Sequence, residues 1–156
     1  LSGLTNLRSL SLDGSVYVRG NGVVTLPKLE ELNLGKTWFF DLDYLRIMTG
    51  IKRLSLTNNS VDYEHISNLT QLSSLDLSLA SGRGLSWKDI LRISSLTHLN
   101  ISHNKILCEN IPPEELIKHL EITKHQTVEE SGYNILSDDP PKKKSWFLRI
   151  CCFCFV

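Results

Sequence analysis

Cysteine is scarce where it would matter for folding. Of the four in this chain of 156 residues, only Cys108 stands outside the last six positions. No disulfide framework can therefore staple the body, which favours a reducing compartment. Net charge is lacking as well, with 17 Lys and Arg against 17 Asp and Glu. A body without basic excess gives no reason to expect nucleic acid as a partner. Nor does any apolar run approach the roughly 20 residues that a membrane-spanning helix needs. The apolar share, 41%, is that of an ordinary globular chain and excludes both disorder and a polytopic membrane protein as the class.

Catalytic chemistry is missing too. The stretch SGRG at 81–84 lacks the following Lys-Ser/Thr that would make it a phosphate loop, and reads as a turn. His98, His103 and Cys108 are five residues apart. A metal site needs three or four ligands at shorter local spacing, so no metal ligand set is expected. With no nucleophile, acid–base pair or cofactor motif, the chain reads as a non-enzyme with no cofactor and no small-molecule substrate. Trp38 and Trp87 are expected to cover core edges rather than to anchor a ligand.

What is present is a repeat. LTNLRSLSLDGS from Leu4, LPKLEELNLGKT from Leu26, MTGIKRLSLTNNS from Met48, LTQLSSLDLSLAS from Leu69 and ISSLTHLNISHN from Ile93 share one frame. In each, two apolar residues three apart are followed by L-x-apolar and, after a turn, a small residue, polar in all but the fourth. The leading leucines are Leu10, Leu32, Leu54, Leu75 and Leu99, at spacings of 22, 22, 21 and 24. L-x-apolar is strand alternation, with the flanking residues turned in and the middle one out. One such unit cannot bury its leucines, but stacked units form a parallel sheet over a continuous core.

This pattern resembles the leucine-rich repeat family over about residues 1–107, in particular its short class, whose repeats of roughly 22 residues are similar to those of phosphatase regulators. The resemblance implies an α/β solenoid of about five repeats, with a parallel sheet on the concave side and short helical or 3₁₀ turns on the convex side. It also implies an asparagine bonded to the turn backbone at the positions held here by Ser15, Thr37, Asn59, Ala80 and Asn104. Ser and Thr can replace part of that bonding, but Ala80 cannot. The loop after Ala80, in the one enlarged repeat, is expected to depart from its neighbours. Within the second repeat Phe39, Leu42, Leu45 and Met48 recur every third residue, which suits a 3₁₀-like turn or a short helix whose apolar side faces the sheet.

Both ends of such a stack need covers. IPPEELIKHLEI has proline and two glutamates at its start and Ile111, Leu116, Ile117 and Leu120 as an apolar side, and it predicts a helical cap within 108–125. The chain begins at Leu1 with neither methionine nor a signal-peptide pattern, and earlier repeats or a cap are expected before it. Residues 126–141 carry Glu129, Glu130, Asp138 and Asp139 without a base and read as a flexible acidic linker. Residues 142–156, KKKSWFLRICCFCFV, form a basic, cysteine-rich tail. Its third residue from the end is Cys154 and its fourth is Phe153, so prenylation is ruled out. Clustered Cys151, Cys152 and Cys154 beside basic and apolar residues suit palmitoylation and contact with a membrane surface.

The outward side chains of the five strands are Ser9 and Ser11, Glu31 and Asn33, Arg53 and Ser55, Ser74 and Asp76, His98 and Asn100. Asp13, Thr57, Ser78 and Ser102 follow at the strand ends, with Gly35 between them. Neighbouring strands about 4.8 Å apart bring Glu31 to Arg53 and Glu30 to Lys52. Sequons at Asn58, Asn68 and Asn100 are set aside, because Asn100 falls on the outward face itself. The expected function is a protein-interaction module that binds an unidentified protein through the concave face. Its expected place is cytoplasmic, on a membrane's cytoplasmic face if the tail is lipidated. The alternative is the substrate-recognition arm of a larger enzyme or receptor whose other domain lies upstream of Leu1.

Overall fold

The computed structural model describes residues 3–15, 20–37, 41–81 and 85–124, apart from the side chains of residues 105 and 106. Six three-residue strands form one parallel sheet in chain order: β1 (Ser9–Ser11), β2 (Glu31–Asn33), β3 (Arg53–Ser55), β4 (Ser74–Asp76), β5 (His98–Asn100) and β6 (Glu121–Thr123). Their register aligns Leu10, Leu32, Leu54, Leu75, Leu99 and Ile122 in a single row. The anticipated solenoid is the fold.

The leucine rows are the core. Leu32, Leu54, Leu75 and Leu99 are buried, as are Leu34, Leu56, Leu77 and Ile101 two residues further on. Leu10 and Ile122, at the two ends of the row, are only half-buried. Interior strands have a leucine on both sides, whereas end strands have one, which is the nearest-neighbour logic of a solenoid. The returning segments close the back of the core. Leu42 and Leu45 are buried in a 3₁₀ helix (Leu42–Ile47), and Met48 follows it. In the next two repeats the return is one helical turn, α1 (Tyr63–Ile66) and α2 (Trp87–Ile90). Both begin at reciprocal caps, Asp62 with His65 and Ser86 with Asp89.

Beyond each of β1–β5 the chain turns sharply through a residue in the left-handed region: Gly14, Lys36, Asn58, Leu79 and His103. The N–H groups of Gly14, Lys36, Asn58 and Leu79 still reach the neighbouring repeat, for example Lys36 to the Thr57 carbonyl at 2.9 Å and Leu79 to the Ser102 carbonyl at 2.9 Å. The sheet ladder thus continues around the corner, which keeps these backbone groups bonded.

The asparagine positions behave as the resemblance implied. Asn59 donates from Nδ2 to the Leu34 carbonyl at 2.8 Å, in the preceding repeat, and to Thr57 at 3.1 Å. Asn104 donates to the Leu77 carbonyl at 3.3 Å while its Oδ1 accepts from Leu107 N at 3.2 Å. Thr37 donates within its own repeat, to Leu34 at 2.6 Å. Ala80 is buried with no group to offer, and residues 82–84 of the loop beyond it lie outside the described residues, as do Trp38 and Phe39.

The C-terminal segment differs from the expected helix. After α3 (Lys105–Glu109), helix α4 covers only Glu114–Ile117. Leu116, assigned to its inner side, is 54% exposed. The chain then turns at Leu120, whose N–H reaches Ile117, as Leu96 does to Ile93 and Leu72 to Leu69. It enters β6 and pairs with β5. A helix this short is marginal by itself, while the open edge of β5 offers N–H and C=O groups to a pairing strand. Ile101 N donates to Thr123 at 2.9 Å and Glu121 N to Thr97 at 2.7 Å.

Candidate functional site

Three rows of side chains stand on the concave surface because each strand turns every second residue away from its leucine. The register brings Ser9, Glu31, Arg53, Ser74 and His98 into one row and Ser11, Asn33, Ser55, Asp76 and Asn100 into the next. Asp13, Thr57, Ser78 and Ser102 follow past the strand ends. The ten predicted strand residues thus share one face, and the other four follow at its edge. β6, within the segment expected to form the cap, extends it with Glu121 and Thr123.

Charge on this face is largely paired. Arg53 donates to the Glu31 carboxylate, and Ser9 Oγ donates to the same group at 3.2 Å. The Arg53 guanidinium beside Glu31 holds that carboxyl below the usual glutamate range, while Glu31 raises Arg53. At the strand entrances Glu30 lies between two cations, 2.6 Å from Arg8 and 3.3 Å from Lys52. Both contacts foreseen from strand spacing are formed. On the far side His98 Nε2 lies 3.2 Å from Glu121. All of these pairs face solvent, where water and salt screen them and they add little to stability.

The second row is bound up with the turns. Asn33 Oδ1 accepts from Gly35 N at 2.9 Å, Asp76 Oδ1 from Ser78 N at 2.8 Å, and Asn100 Oδ1 from Ser102 N at 3.0 Å. These are Asx turns, in which a side-chain carbonyl replaces a backbone one. Ser55 takes a related part by bonding Thr57 Oγ1 at 3.1 Å, and Thr57 continues to Ser78 Oγ at 3.1 Å. Ser102 is buried, and its hydroxyl donates to Asn100 Oδ1 at 2.7 Å. It is therefore covered and held by Asn100 rather than open to a partner. Strand spacing alone does not reveal this bonding, because it depends on the left-handed residue in each turn.

A shallow depression of about 330 Å³ lies on the β1–β4 half of the face, lined by Ser9, Glu31, Arg53, Ser55, Ser74 and Asp76 among others. Trp87 is elsewhere, buried, with its indole N–H on the Leu107 carbonyl at 2.8 Å; it plugs the core edge. Among the described residues no group of three or more His, Cys, Asp and Glu could hold a metal ion, and no helix is long and apolar enough to cross a membrane.

No family model matches the sequence, and no curated protein matches it. Solved structures do. A chain in the Drosophila Toll–Spatzle complex aligns with TM-score 0.54 and 20% identity over 64% of this chain, which spans 14% of that one. Internalin C2 of Listeria monocytogenes aligns with TM-score 0.58 and 18% identity, over 83% of this chain and 69% of that one. Identities this low speak for the fold alone. With the repeat frame, the aligned leucine rows and the six-stranded parallel sheet, they establish that this chain has the leucine-rich-repeat solenoid fold.

Proposed function

We propose that the chain is a non-enzymatic protein-interaction module, binding a protein partner through the concave face and tethered by its tail to the cytoplasmic surface of a membrane. One observation carries the first half. Three rows of polar side chains from successive repeats are held in register on one open surface, with a rigid leucine core behind them. Protein partners of solenoids suit such surfaces because contacts are spread over many repeats. The described face offers fewer positions than the roughly 20–30 residues of a standard interface side, so neighbouring surface takes part in binding.

The test is capture of partners from cells by the full chain, by a variant with Glu31, Arg53, Asp76 and His98 changed to Ala, and by a convex-side control, Glu64→Ala with Lys88→Ala. Loss of partners in the first variant alone supports the concave face. Retention of every partner by that variant, folded as judged by circular dichroism, removes it.

The tail belongs to the same proposal and lies outside the described residues. The division into repeats over 1–107, cap over 108–125, linker over 126–141 and tail over 142–156 is likewise proposed, with the linker and tail outside the described residues and β6 of the cap segment continuing the sheet. Four basic residues near an anionic leaflet supply about 1 kcal/mol each, and each buried acyl CH₂ about 0.8 kcal/mol. These are the two signals that stable anchoring needs. Changing Cys151, Cys152 and Cys154 to Ser is expected to move the protein from the membrane to the soluble fraction. Equal partition of both forms ends the anchor idea.

A further inference from the structure

We infer that Asp76 is the anchor of the concave face and receives the guanidinium of an arginine presented by the protein partner. This rests on the concave face being the binding surface and adds the chemistry it selects. Asp76 occupies the last position of β4, where its Oδ1 accepts the Ser78 N–H at 2.8 Å. The same turn is made in β2 and β5 by Asn33 and Asn100, whose amide oxygens accept from Gly35 and Ser102. The turn therefore needs one carbonyl oxygen and no charge. In the remaining strands this position holds Ser11, Ser55 and Thr123. The carboxylate of β4 is thus the one charged member of its row, and its second oxygen and its charge are surplus to the fold.

The other carboxylates toward the strand entrances already have cations. Glu31 is taken by Arg53, and Glu30 by Arg8 and Lys52. Among the described residues no cationic side chain pairs with Asp76. Arg53 lines the same depression but points across to β2. The depression thus carries Glu31, Arg53 and Asp76 and a net charge of minus one. Asp76 is half-buried, so an incoming cation meets it partly out of water, where a charge-assisted bond is stronger than on the open surface. Ser55 and Ser74 flank it with further acceptor oxygens, and Leu54 contributes apolar surface below. Five donors in a planar fork on an apolar stem match that arrangement better than a single strongly hydrated ammonium.

The probe is the blocked tripeptide acetyl-Gly-Arg-Gly-amide, titrated into the isotope-labelled full chain and followed by backbone amide shifts, with acetyl-Gly-Gln-Gly-amide as the neutral control. Saturable shifts centred on Ser74, Asp76 and Ser78, at least about fivefold stronger in apparent affinity than the glutamine control and weakened by salt, are expected. They should disappear in Asp76→Asn. That variant keeps the oxygen that the turn needs, as Asn33 and Asn100 already show, so its amide spectrum should otherwise be unchanged. Shifts of equal size in Asp76→Asn, or no saturable shifts with the arginine peptide, overturn the proposal. Partner capture separates the two levels. If the four-residue variant loses its partner while Asp76→Asn keeps it at wild-type level, the surface stands and the arginine anchor falls.

Discussion

At the scale of the residue, the demands of the fold and of the exposed face can be told apart. Leu79 shows the first. It sits at φ 55° in the turn after β4 and is 49% exposed, so it bears the steric cost of a left-handed backbone with little burial in return. Asn58 fills the same place one repeat earlier at φ 56°, with a side chain that tolerates it. Leu79→Asn is expected to stabilise by up to about 1 kcal/mol, read as a higher denaturant midpoint. A lower midpoint would mean that the covered half of the leucine matters more than the turn. Glu31 shows the second. Its carboxyl is lowered by Arg53, so the pair stabilises the native chain above the ordinary glutamate range and loses that contribution as pH falls through the lowered value. Stability curves of wild type and Glu31→Gln should therefore differ near neutral pH and converge as pH falls through the lowered Glu31 value. A gap that persists in acid would assign Glu31 another role.

At the scale of the element, five strands could be read directly because L-x-apolar at a period near 22 has one physical solution, a stack. The 3₁₀ return at Leu42–Ile47 was equally readable from apolar residues every third position. β6 was not, for two reasons. The interval from Leu120 to Ile122 is one residue shorter than that from Leu96 to Leu99, which breaks the frame. Prolines and glutamates at 112–115 also signal a helix start, and they do produce one turn of it. Of the candidate face, the outward rows and both ion pairs were legible because strand geometry sets them. The Asx turns and the burial of Ser102 were not, since they arise from the corner after the strand. The asparagine corners carry a ranked expectation. Asn59→Ala leaves the Leu34 carbonyl with the Thr37 hydroxyl as donor. Asn104→Ala removes the donor to Leu77 and also the N-terminal cap of α3. Both should cost about 1–3 kcal/mol, with Asn104→Ala the larger. Equal losses in thermal or urea unfolding would show that the cap of α3 contributes nothing.

At the scale of the whole molecule, one continuous leucine core joins every repeat, so where the stack is injured decides how it fails. Leu54 is 3% exposed in the third of six strands and packs against repeats on both sides. Leu54→Ala should cost about 2–5 kcal/mol and lower the single unfolding transition of the entire solenoid. Its neighbour Ser55, on the polar face, should cost under about 0.5 kcal/mol when changed to Ala. Ile122 stands in the last strand, half-buried, with a neighbour on one side only. Ile122→Asp places a charge against the end of the core, and the weakest link there is the pairing of β6 with β5. The expected outcome is local: β6 detaches, and the Ile101 amide, bonded to Thr123, loses its protection from hydrogen exchange. Amides of Leu34 and Leu56, bonded to Ser55 and Asp76 in the interior, should keep theirs. If Ile122→Asp instead strips protection from Leu34 and Leu56 together with Ile101, β6 is part of one indivisible folding unit, and the nearest-neighbour picture of this solenoid is wrong.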